Sequence, residues 1–65
     1  MTKTNYIRSM ATEIAQALHA LHIHAITPLQ YHLTITDINK RFDPPDNAWN
    51  NACRLADLMI RRGEV

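Results

Sequence analysis

Residues 27–46 read TPLQYHLTITDINKRFDPPD, a stretch with a proline break at each end, and how its middle is read decides the fold. At the left edge, Thr27, Pro28 and Gln30 have the spacing of a capping box: a threonine that accepts from backbone amides, a proline at the first helical position and a glutamine three residues on. A helical turn could start there. The following residues also alternate, with Tyr31, Leu33 and Ile35 apolar and His32 and Thr34 polar, which is the period of a strand. The expectation is a turn and then a very short strand over 31–35. Thr36 next caps a short helix whose inward residues are Ile38 and Phe42, with Asn39, Lys40 and Arg41 outward. Asp43-Pro44-Pro45-Asp46 ends it, because two successive prolines cannot continue a helix.

The longer elements lie on either side of this stretch. Upstream, Ile7, Met10, Ala11, Ile14, Leu18, Leu21 and Ala25 recur at steps of three and four, one face of an amphipathic helix from Asn5 to Ile23 or His24. Thr4 or Asn5 can cap its start. Downstream, Asp46 caps a last helix running from Asn47 to about Arg62. Its inward stripe is Trp49, Ala52, Cys53, Ala56, Met59 and Ile60, flanked by Leu55 and Leu58. Trp49 is expected to pack against Phe42 and Ile38. Arg61 and Arg62 suit the negative end of the helix dipole, and Gly63 suits the C-terminal stop.

Size and composition narrow the possibilities. At 65 residues the chain is one domain (1–65), near the lower limit for a single apolar core without staples. With 46% hydrophobic residues and one glycine it is a compact, helix-rich globule and not a disordered tail. Cys53 has no partner for an internal bridge, the first residues are polar, and no apolar run approaches the ~20 residues of a membrane span, so the expected setting is cytoplasmic. The net charge is +1, and residues 36–65 carry five basic and five acidic side chains. A nucleic-acid contact must therefore depend on where charges lie and not on their excess.

Enzyme chemistry finds little support. Cys53 falls on the apolar stripe, where a cysteine is a small hydrophobe, and a reactive thiolate needs an exposed, electropositive setting. Ser9 has no His–Asp pattern near it, and no glycine loop is present to cradle phosphate. His19, His22 and His24 cluster, but no cysteine or acid completes a ligand set, so neither a metal nor a cofactor is expected.

The order of parts, a capped short helix, a tight turn, a longer helix and a closing R-G-E-V, is that of a helix-turn-helix. LTITDINKRF (33–42) followed by ACRLADLMIRRGEV (52–65) resembles the core of winged helix-turn-helix domains, in which a leucine-threonine strand leads into a D-I-x-x-R-F helix. In that family the next helix ends in a basic pair, then Gly and an apolar residue that opens the wing. The resemblance implies a mainly α, three-helix, winged-helix-like domain, with Leu33 to Val65 covering the first strand, two helices and the start of a second strand. The wing is minimal or missing, since the sequence stops at Val65. It further implies double-stranded DNA as partner and a role in transcription regulation. The helix 47–62 would then lie in the major groove with Asn47, Asn50, Asn51, Arg54 and Arg61 outward, and Lys40, Arg41 and Arg62 would contact phosphates. The long apolar face of the helix 5–24 exceeds what two short helices cover, which suggests a homodimer through it. The alternative is a protein-interaction module, a small adaptor or inhibitor of the same fold that does not bind DNA.

Overall fold

In the computed structural model, which describes residues 3–64 and side chains from Tyr6 onward, three helices follow one another: α1 (Lys3–His22), α2 (Pro28–Phe42) and α3 (Asp46–Arg61). The described residues contain no strand. Residues 31–35, expected as a short strand, are the end of the first turn and the second turn of α2, and Thr36 lies inside that helix instead of capping a new one. The capping box at Thr27 accounts for this. Thr27 Oγ1 accepts from the Gln30 amide at 3.1 Å, while Gln30 Oε1 accepts from the Thr27 amide at 2.8 Å, so the helix is capped at Thr27 and not at Thr36. The threonines within it adapt by donating backwards, Thr34 to the Gln30 carbonyl and Thr36 to the His32 carbonyl.

Each helix end is explained by local chemistry. At the end of α1 the amide of Ala25 donates to the Ala20 carbonyl and that of His24 to Leu21, a Schellman closure in which His24 holds the left-handed position at φ 60°. Gly63 does the same after α3 at φ 71°, with Glu64 donating to Met59 and Gly63 to Ile60. After α2, Asp43 is left-handed (φ 45°) and donates to Asn39, but Pro44 has no N–H with which to complete the motif. Three residues, Asp43, Pro44 and Pro45, therefore separate α2 from α3. Asp46 is the first residue of α3 and not its cap: Pro45 holds the cap position and makes no side-chain bond there. Thr4 and Asn5 fall inside α1, and their side chains, like Val65 where a wing would open, lie outside the described residues.

The core is small and rich in alanine. Met10, Ala11, Ile14 and Ala15 of α1 meet Ile38 of α2 and Ala52, Ala56 and Met59 of α3, and only Met10 and Ile38 are large side chains fully out of solvent. α1 is the common partner of α2 and α3. Trp49 is half-buried against this cluster, but the ring paired edge-on with Phe42 is Tyr6, at 5.7 Å between centroids. Cys53 is exposed, not part of the core: the buried line is Ala48, Ala52, Ala56 and Met59, and Cys53 lies beyond its edge.

Candidate nucleic-acid interface

The turn of residues 43–45 fixes where α3 points, and a long-range hydrogen bond anchors it. The Tyr6 hydroxyl, at the start of α1, donates to the Phe42 carbonyl at 2.7 Å. That carbonyl belongs to the last turn of α2; Pro45, three residues on, has no amide to offer it and Asp46, four residues on, already begins α3, so a side chain supplies the donor instead. Sequence periodicity gave no hint of this role, because Tyr6 lies off the main apolar line of α1.

On α3 the buried residues face α1, and the opposite side carries the polar line. Asn47, Asn50, Asn51, Arg54 and Arg61 are all exposed and fall within one face of the helix. Asn47 and Asn51, one turn apart, also border a shallow groove with Tyr6, Ile7, Pro45 and Ala48. Among the described residues no acid pairs with Arg54, whereas Arg61 bonds Asp57 at 3.1 Å. Leu58 lies within the same face, 42% exposed.

The cations expected to touch phosphate are divided. Lys40 and Arg62 are exposed without an acidic partner among the described residues. Arg41 is engaged: it donates to Glu13 of α1 at 2.6 Å and to Asp37 at 2.8 Å, and its guanidinium lies 5.9 Å from the Phe42 ring centre. Hydrogen bonding to Glu13 and then to Asp37 raises its already high pKa. Arg41 thus braces α2 against α1 instead of standing free for a phosphate.

Other chemistry-bearing groups are dispersed. Among the described residues no three of His, Cys, Asp and Glu come together as a metal site, and His19, His22, His24 and His32 are each exposed. Desolvation by its neighbours pushes the Cys53 thiol up, and the same effect, followed by the charge of a Cys53 thiolate, raises Tyr31. No described helix is long and apolar enough to cross a membrane. No family model, curated protein or solved structure matches the chain.

Proposed function

We propose that the chain is a small DNA-binding domain of helix-turn-helix type, winged-helix-like with a minimal or missing wing, that regulates transcription by placing α3 in the major groove. The observation carrying this reading is the exposed line Asn47, Asn50, Asn51 and Arg54 at the start of α3, presented after a three-residue turn and held by no partner among the described residues. A turn of that length is the one helix-turn-helix units use, and the amino-terminal residues of the second helix are those that meet base edges. Asparagine bonds adenine in two places and arginine bonds guanine likewise, each pair contributing roughly 1–3 kcal/mol of discrimination. Lys40 and Arg62 then hold phosphates, and Arg41 and Arg61 join only by leaving their acids. The lone thiol suits a cytoplasmic setting.

The test is fluorescence anisotropy on a mixed-sequence duplex. Two free phosphate contacts give a log–log salt slope of about −2. Arg54→Ala weakens binding and relaxes sequence preference. No binding at low salt rejects the proposal, and binding indifferent to Arg54→Ala rejects the readout role of that residue.

A second reading, a protein-interaction module of the same fold, is favoured by Leu58 lying exposed within the polar face and by the pairing of Arg61 with Asp57. It predicts a captured protein partner whose binding is lost on Leu58→Ala, with no affinity for duplex DNA.

A further inference from the structure

Within the polar face of α3 the side chains are not equivalent, and their order along the axis has chemical content. At about 100° of rotation per residue, Asn50, Arg54 and Arg61 stand most directly opposite the buried line Ala48, Ala52, Ala56 and Met59, with Asn47 beside them. Asp57 stands in the same sector and holds Arg61 at 3.1 Å, so that charge is already matched. The remaining polar groups of the first two turns, Asp46 and Asn51, lie at the two margins of the face, roughly 140° apart. What the centre leaves unengaged among the described residues is Asn47, then Asn50, then Arg54: two amides followed by one guanidinium, all exposed.

We infer that α3 reads two adjacent A·T pairs followed, toward its C-terminus, by a G·C pair one or two steps on, with Asn47 and Asn50 on the adenines and Arg54 on the guanine. The inference rests on the DNA reading proposed above and adds to it the number, kind and order of the bases. Chemistry assigns the kind. An asparagine amide has a donor and an acceptor side, which match N6 and N7 of adenine and conflict with the paired acceptors of guanine. A guanidinium has donors only, which match O6 and N7 of guanine and conflict with the N6 donor of adenine. Residues 46–53 contain no lysine or arginine, so nothing at the start of α3 favours guanine there.

Helix geometry assigns the order. From Asn47 to Asn50 the axis rises about 4.5 Å and from Asn50 to Arg54 about 6 Å, against about 3.4 Å per step along a duplex strand. The two amides therefore address neighbouring pairs, and Arg54 reaches one or two steps beyond them. Met10, Ala11 and Ile14 of the stripe expected to pair two chains are buried within one chain, and the geometry requires no second copy: one α3 addresses one such run.

The experiment is selection of a duplex pool, randomised at six central pairs, on the immobilised full chain, followed by anisotropy on the enriched duplex. Two adjacent A·T pairs with a G·C pair one or two steps from them should be enriched. Arg54→Ala should relax the G·C position alone and Asn50→Ala one A·T position alone, with helical circular dichroism unchanged, since both side chains are exposed. Replacing either adenine by 7-deazaadenine, which lacks the N7 acceptor, should raise the dissociation constant about tenfold. Binding without base preference, enrichment of G·C pairs alone, or indifference to 7-deazaadenine overturns the inference and leaves the DNA reading standing. Absence of binding to every duplex overturns both.

Discussion

Tyr6→Phe isolates the hydrogen bond that ties the start of α1 to the turn between α2 and α3. The ring and its edge-on contact with Phe42 remain, and only the hydroxyl donated at 2.7 Å is lost. An intramolecular hydrogen bond contributes about 1 kcal/mol net, and a partly buried carbonyl left without a donor adds to the loss, for a total of roughly 1–2 kcal/mol. Pro44 and Pro45 offer no amide to replace it. In a domain of this size each kcal/mol lowers the melting temperature by about 4–8 °C, so a drop on the order of 4–16 °C is expected by circular dichroism. Tyr6→Leu, which also removes the ring, should fall further. A Tyr6→Phe melting temperature unchanged within about 1 °C, against that expected range, would refute the reasoning, since the Phe42 carbonyl would then be satisfied by water.

Three further outcomes can be checked. His24→Gly should stabilise by about 0.5–1 kcal/mol in chemical denaturation, because relief of a left-handed residue (about 1–2 kcal/mol) outweighs the added freedom of glycine in the unfolded chain; destabilisation would contradict the Schellman assignment. Ala52→Leu places a larger side chain where α1 and α3 meet with no exposed surface, and should cost about 1–3 kcal/mol by overpacking, read from the same denaturation curves. Cys53 should react completely with iodoacetamide in the folded protein, but more slowly than a free thiol near neutrality, because a raised pKa leaves less thiolate at a given pH. Fast alkylation at pH 7 would show that the thiol is not desolvated.

The sequence carried the three-helix outline for identifiable reasons. The stripe of α1 and that of α3 are long, and the double proline leaves no alternative to a break at residues 43–45. In α2 the signal was mixed. Tyr31 and Ile35 turn inward while Leu33 turns outward, so an apolar residue at every second position imitated a strand. The capping box at Thr27 marks the start of the helix, and its two reciprocal hydrogen bonds outweigh the alternation. Cys53 shares the helical spacing of Trp49 and Ile60, but the close approach to α1 is made by Ala48, Ala52 and Ala56, which leaves Cys53 on the solvent side of the stripe. The outward face of α3 was legible from its helical spacing. The acids holding Arg41 were only half legible, since Glu13 is distant in sequence and its approach depends on how α1 and α2 pack.

The alanines between α1 and α3 have a thermodynamic consequence. A core assembled from Ala11, Ala15, Ala48, Ala52 and Ala56 brings helices close but withdraws little hydrocarbon from water, while Leu29 and Leu33 stay wet in the single chain. Heat capacity of unfolding follows newly exposed apolar area, so the chain should fall below the usual ~12–15 cal/mol/K per residue. Its stability curve is correspondingly flat, shallow at its maximum and slow to fall on cooling.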